Sequence, residues 1–315
     1  MSDYTVRTLR PDEHRSANDL FRATLHAAAG TDEEWRYLAN AYQPGRALGA
    51  FGTELIGTAR SFDAELTVPG GGRLPVAAVT GVGVRPDRTR RGVLTELMRV
   101  QLGELAARGV PLAALYASES AIYGRFGYGP AGRTRNYQVD RRRAVLRPDA
   151  PLDGEIELLA PAEMVERLPE IYAALPHTRP GMMTRPPYWW AGFERMVHKE
   201  DEPIVAVAHH GPQGADGFVV YTTERLRWHD PGVLKIISMF SATGEAFAGL
   251  WRYLLSVDLI DIVTTDSRPL DEPTELLLTD PGAYSVTAGG ADSWLRLVDV
   301  PAALSAREYV GEPVV

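Results

Sequence analysis

Apolar positions along the chain recur with a period of two, then near 3.6, and the alternation runs through twice. Tyr4–Leu9 alternates like an edge strand, and Pro11-Asp-Glu-His14 opens a helix to about Ala28. Thr31 followed by Asp32, Glu33 and Glu34 is an N-cap with an acidic first turn, so a second helix is expected over Glu33–Ala41. Ala47–Phe51, Glu54–Leu66 and Leu74–Val84 read as an antiparallel meander, with Pro69-Gly-Gly-Gly-Arg73 as the turn before its last strand. Leu94, Leu97, Met98, Gln101, Leu102 and Leu105 then fall on one face of a helix over Val93–Arg108, which Gly109-Val-Pro111 ends. Leu112–Ala117 is a short apolar strand, followed by a short helix that holds Tyr123.

The stretch from Val139 to Gly154 reads as a final strand running into a linker, and its Pro, Asp and Gly density places a domain boundary near 145–154. The pattern then restarts. A strand at Ile156–Leu159, helices at Pro161–Leu175 and Pro186–Val197, and a hairpin of Ile204–His209 with Ala215–Glu224 come first. A strand at Val233–Phe240, a helix at Gly244–Val257 and a strand at Ile260–Thr264 follow. Tyr188-Trp-Trp190 reads as packing surface rather than a stacking platform. Trp294–Val298 alternates like a strand and Pro301–Tyr309 like a short helix. The fold class is α/β (α+β), two similar halves with mixed sheets flanked by helices.

Composition narrows the function. With 315 residues, 45% of them hydrophobic, two cores are affordable. Without cysteine there is no disulfide and no thiolate nucleophile. The net charge of −8 disfavours nucleic acid as a main partner, and Arg141–Arg143 reads as solvated surface. The N-terminus carries no apolar signal core, and no apolar run is long enough for a membrane span. A soluble, cytoplasmic protein that engages no membrane is expected. The histidines are scattered with no His-Glu-x-x-His spacing, so no metal is expected.

The candidate chemistry lies between Leu74 and Pro130. Arg85-Pro-Asp-Arg-Thr-Arg-Arg-Gly92 joins a strand to the N-terminus of an amphipathic helix. Such a terminus offers free N–H groups and a partial positive charge, Gly92 allows close approach, and Arg88, Arg90 and Arg91 add charge. The combination suits a diphosphate, although no Gly-Lys-Ser/Thr makes it a nucleotide P-loop, and an exposed basic turn would look the same. Thr80-Gly-Val-Gly-Val84 has two glycines within a strand, the mark of a bulge or of a backbone approached closely. The second half has no such turn: Ser241-Ala-Thr-Gly244 lacks the arginines.

Strand, basic glycine turn and helix resemble the cofactor-binding core of the GNAT N-acetyltransferases. Ala117-Ser-Glu-Ser-Ala-Ile-Tyr-Gly-Arg-Phe-Gly-Tyr-Gly-Pro130 and Trp294-Leu-Arg-Leu-Val-Asp-Val-Pro-Ala-Ala-Leu304 resemble the Eis branch of that family. The resemblance implies tandem GNAT folds: residues 1–147 binding acetyl-CoA, residues 148–290 without a cofactor loop, and residues 291–315 as the stub of a sterol-carrier-like domain, truncated early. It implies acetyl transfer from acetyl-CoA to a primary amine by direct attack, the acceptor being aminoglycoside-like or a lysine side chain. Tyr123 matches the general acid that protonates the departing thiolate, with nearby Tyr128 read as structural. Main-chain groups of Val82 and Val84 would hold the pantetheine; Arg90, Arg91, Gly92 and Val93 the diphosphate; and Ser118 contacts the cofactor. Phe21 and Trp35 fall near the acceptor in the family, and both also fit a hydrophobic core. The distal carboxylate that serves the family as general base has no match, which leaves a non-catalytic acyl-CoA-binding or scaffold protein as the alternative. Homo-oligomers, hexamers in the family, are implied.

Overall fold

The structure, a computed structural model, describes residues 3–199, 203–224 and 229–309. The first half runs β1 (Thr5–Thr8), α1 (His14–Thr24), α2 (Asp32–Leu38), β2 (Ala47–Phe51), β3 (Leu55–Thr67) and β4 (Arg73–Val84). Next come α3 (Val93–Ala107), β5 (Leu112–Tyr116), α4 (Ser120–Tyr123), β6 (Gly129–Pro130) and β7 (Arg133–Asp140). The pattern restarts with β8 (Glu155–Leu159), α5 (Pro161–Ala174), α6 (Pro187–Val197), β9 (Ile204–Gly211) and β10 (Gly214–Glu224). It closes with β11 (Val233–Ser241), α7 (Gly244–Ser256), β12 (Ile262–Pro269), β13 (Tyr284–Ala291), β14 (Ser293–Leu297) and α8 (Val300–Ser305). Local signals account for most of these. Thr31 Oγ1 caps α2 by accepting from Glu34 N–H at 3.1 Å, while Glu34 accepts from Thr31 N–H, which completes a capping box.

The chain forms two compact units: Met1–Gly132 with His177–Arg195 and Ser293–Val315, and Arg133–Pro176 with Met196–Asp292. Each has a seven-stranded mixed sheet built to one plan. The first has the order β1-β2-β3-β4-β5-β14-β6, antiparallel except for the parallel pair β4–β5. The second has the order β13-β7-β12-β11-β10-β9-β8, antiparallel except for the parallel pair β11–β12. Helix α3 bridges the first parallel pair and α7 the second, as a parallel crossover requires.

The units divide differently from the expected boundaries at 147 and 290. Strand β7, placed by its sequence position in the first half, pairs with β12 and β13 in the second sheet. Strand β14, expected to open a third domain, lies beside β5, Trp294 opposite Leu115 and Leu297 opposite Leu112. Each sheet thus draws the strand beside its parallel pair from the segment that the sequence assigns elsewhere. The reason is that alternation reveals a strand but not its partner. Helix α8 joins the first unit as well, with Ala303 packed among Leu66, Val76, Leu112 and Ala114. Residues 310–315 of the expected third-domain segment lie outside the described residues.

In the first unit, Leu97, Met98 and Leu105 of α3 pack on Ala77, Val79, Ala113 and Leu115 of the sheet. The other face carries the separate cluster around Leu66 and Leu112, and a third beneath α1 and α2 that contains Ala17, Trp35 and Tyr42. In the second unit, Trp251 of α7 is wholly buried and stacks with Tyr137 of β7 at 6.3 Å between ring centroids. Trp251→Ala should cost about 3–5 kcal/mol through the cavity it leaves, read as a lower midpoint in denaturant unfolding; an unchanged midpoint would show that this core is dispensable.

Candidate active site

The site starts from a place where the first sheet comes apart. Strands β4 and β5 are paired only at Val76–Leu112, Ala77–Ala113 and Ala78–Ala114. Beyond Ala78, β4 stays with β3 while β5 stays with β14, and a gap opens between them. Arg85 N–H donates to Ile56 O at 2.9 Å, so Arg85 faces β3. Facing alternates along an antiparallel ladder, so the N–H and C=O of Val84 and Val82 turn into the gap. At Gly81 (φ +61°) a bulge sets two β4 residues, Gly81 and Val82, against one of β3, Ala59. That left-handed angle suits glycine and is costly for a β-branched residue.

At the far end of β4 the chain turns into α3 through Arg90 (φ 60°) and Gly92 (φ 82°), both left-handed. Gly92 is the N-cap of α3, and among the described residues no side chain caps the helix, which leaves its first-turn N–H groups without an intrahelical partner. Among the turn arginines, Arg85 is bound by Asp87 (3.1 Å) and Glu54 (2.7 Å). Arg88 is close to Asp87 (3.4 Å) and Asp3 (4.0 Å). Arg90 and Arg91 are exposed and form no ion pair among the described residues. The positive charge left for an anion therefore comes from these two and from the helix terminus.

The gap leads into a cavity of about 820 Å³ on the sheet face opposite α3. Its mouth is formed by Val79–Val82 of β4, Leu115 and Tyr116 at the end of β5, Ala117 and Ser118 just after it, and Tyr123 of α4. Phe21 of α1 lines it as well. Tyr123 is buried, its hydroxyl has no hydrogen-bond partner among the described residues, and burial raises its pKa above the ordinary phenol value. Tyr128 meets it edge-on at 5.9 Å, is also buried, and is raised further by burial and by Tyr123.

The structure thus brings Val82, Ser118, Tyr123 and Phe21 to one cavity, with Val84 at the end of β4, Arg90, Arg91 and Gly92 on the adjoining turn, and Val93 at the start of α3. Trp35 does not join them: it packs edge-on against Tyr42 (5.9 Å), in the cluster with Leu9 and Ala17. Asp32 is paired with Arg15 (2.6 Å). Burial opposes ionisation of Glu34, yet hydrogen bonds from Thr31 N–H and Arg195, with Arg22 nearby, hold its pKa below the usual value. The sequence left out much of the cavity wall: Pro180, Gly181, Met183 and Trp189, then Leu295 and Leu297 of β14, then Ala303, Leu304 and Arg307 in and after α8. No local signal marks these residues, because they reach the site only through sheet pairing and through the backbone bridge of Leu66 with Met183.

The corresponding place in the second unit is closed. There β11 and β12 part beyond Ile236 and Thr265, and the Arg268 guanidinium donates to Met239 O at 3.0 Å across the opening. Glu272 holds Arg268 and accepts from Tyr137, which also pairs with Thr274. Helix α7 is capped by Thr243 Oγ1, which accepts from Ala246 N–H at 3.1 Å.

An acetyltransferase (GNAT) domain matches residues 5–131 and again residues 181–297. An N-acetyltransferase of Streptomyces griseus is 35% identical over 323 residues, spanning 96% of this chain and 76% of that protein. Eis1 of Mycobacterium abscessus superposes with a TM-score of 0.85 at 39% identity, covering 99% of this chain and 78% of that one. This chain belongs to the Eis-like GNAT N-acetyltransferases. It is an acyltransferase with two GNAT domains in tandem. The N-acetyltransferase Eis of Mycobacterium bovis is 35% identical over 268 residues; the match covers 83% of this chain and 64% of that Eis. Among the described residues no helix is long and apolar enough to cross a membrane.

Gly81→Val in this GNAT fold should lower the unfolding free energy by about 1–2 kcal/mol, the penalty for a side chain at a left-handed angle. Equilibrium denaturation checks this, and an unchanged stability would mean that the bulge tolerates a Cβ.

Proposed function

We propose that this chain transfers the acetyl group of acetyl-CoA to a primary amine by direct attack. The observation that carries it is the continuity from the uncapped α3 terminus, along the unpaired edge of β4, to the Tyr123 hydroxyl. That path matches the parts of coenzyme A in order. First-turn amides after Gly92, with Arg90, Arg91 and Val93, receive the diphosphate. The inward N–H and C=O of Val84 and Val82 pair with the amides of the pantetheine arm, and Ser118 closes the opposite side of the slot. Acetyl-CoA supplies an acyl group already activated as a thioester.

The remaining work falls to side chains of this chain. Tyr123 holds a proton on its Oη at the mouth of the cavity and delivers it to the departing sulfur. Because burial raises the phenol's pKa, Tyr123 stays protonated to a higher pH than a free phenol would. Phe21 and the apolar wall keep bulk water from the reacting carbon. The second unit, its cleft filled by Arg268 and its helix already capped, supports the fold without binding a second cofactor.

Replacing Arg90 and Arg91 together by alanine should weaken CoA binding by about 10–100-fold in calorimetry, with a shallower salt dependence, because two charge-assisted contacts are lost. Unchanged affinity would move the diphosphate elsewhere. Tyr123→Phe should lower kcat by about 100-fold or more and leave CoA affinity within about twofold, the pattern of a lost general acid. In the wild type, kcat should rise with pH as the acceptor amine loses its proton and show no alkaline fall below about pH 10, the ordinary phenol value. A fall nearer pH 8 would assign the acid to another group.

A further inference from the structure

The two glycines of Thr80-Gly-Val-Gly-Val84 have different tasks. Gly81 makes the bulge, whereas Gly83 is where a helix comes down on the strand. A Cβ built on Gly83 would lie 2.9 Å from Thr24 Oγ1, 3.0 Å from Thr24 Cγ2 and 3.4 Å from the Cα of Phe21. The last turn of α1 therefore rests on bare β4 backbone. Thr24 does not turn aside easily, because it is β-branched and its hydroxyl donates to Phe21 O at 2.7 Å. Phe21 and the C-cap residue Leu25, at this same end of α1, line the cavity.

The opposite face of the sheet repeats the arrangement one residue away. In the β3–β4 ladder Thr58 pairs with Gly83 and Gly57 with Val84. A Cβ on Gly57 would lie 2.9 Å from Val93 Cγ1 and 3.1 Å from Leu97 Cδ1, so the start of α3 sits on Gly57 as α1 sits on Gly83. Neither glycine has a positive φ, so an L side chain fits the backbone at both, and what excludes it is the helix above. Nor can β4 give way toward α3, since Val82 and Val84 pack on that side against the cluster of Val93 and Leu97. A carbon added at Gly83 must lift α1, by about 0.5–1 Å if Thr24 Cγ2 is to regain an ordinary contact of about 3.5–4.0 Å.

Resting on the acetyl-transfer reading above, we propose that Gly83 is a positioning residue: having no side chain, it seats α1 so that Phe21 closes the acyl end of the slot against water. Gly57 seats the α3 terminus for the diphosphate in the same way. With α1 lifted, water competes with the amine. Its oxygen bonds to the acetyl carbon and the carbon–sulfur bond breaks. One water proton ends on the sulfur, and the other leaves with the acetic acid, which releases it to solvent.

Three measurements on the full chain at saturating acetyl-CoA separate these roles: thiol release without an amine, amide formation with kanamycin as the amine, and calorimetry of CoA. Gly83→Ala should raise amine-independent thiol release about 3–10-fold, lower amide formation about tenfold and leave CoA affinity within about threefold, since a misplacement near 1 Å costs up to about 100-fold at a reacting centre. Gly57→Ala should instead weaken CoA binding about tenfold, the size of one lost hydrogen bond, and leave amine-independent thiol release at the wild-type rate. Thr24→Ala removes both atoms nearest the new carbon. In that background Gly83→Ala should change either rate by less than about twofold, the coupling expected of residues in contact. Should Gly83→Ala alone unfold below the assay temperature, Thr24→Ala must restore both the thermal midpoint and the reference ratio of thiol release to amide formation. The proposal is overturned if Gly83→Ala leaves both rates unchanged, if Thr24→Ala does not rescue it, or if the two glycine variants give the same profile. A wild type that neither binds CoA nor transfers acetyl would instead remove the acetyl-transfer reading, and this inference with it.

Discussion

Everything proposed for this chain depends on a row of backbone groups that the first sheet leaves unpaired. A buried N–H or C=O without a partner costs about 1–3 kcal/mol, and a continuous sheet would avoid that cost by keeping β4 and β5 together. Here they separate after three pairs. β5 turns to β14, and β4 is held by β3 alone with a bulge at Gly81. The strands then leave peptide groups facing the gap, and in the proposed reading a ligand would lie there, where a strand would have been. Helix α3 adds its uncapped terminus at the end of the same line.

The second unit shows the same plan with its opening occupied by the protein itself. It also has an antiparallel run, one parallel pair and a crossover helix. Its corresponding opening is bridged by the Arg268 guanidinium, which Glu272 holds in place, and a threonine caps its helix. One opening is filled by a side chain of the protein and the other stays available, which agrees with the lack of a basic turn at Ser241–Gly244.

Much of this was legible in the sequence, and what was not has a common physical cause. The elements, the basic turn and Tyr123 are local features, set by periodicity, capping and glycine, and they lie where the pattern puts them. Strand partnership is not local. Hence β7 and β14 lie in sheets other than those their sequence positions indicate, and the cavity wall from Met183 to Arg307 carried no mark. Trp35 illustrates the limit for a single side chain. Its aromatic character fits a binding wall and a core equally well, and the contact with Tyr42 seats it, half-buried, against the cluster beneath α1 and α2. The edge strand β13 left no signal because Tyr-Ser-Val-Thr-Ala-Gly-Gly-Ala is small and mostly exposed, without the alternation that burying one face produces.

Amide hydrogen exchange with and without CoA, resolved to peptides across the chain, reads the unpaired β4 edge and the α3 terminus together. CoA should slow exchange in Val79–Val84 and in the first turn of α3 after Gly92, and leave the second unit's β11 and α7 unchanged. Protection confined to the second unit, or none at β4 and α3 under saturating CoA, would contradict that expectation.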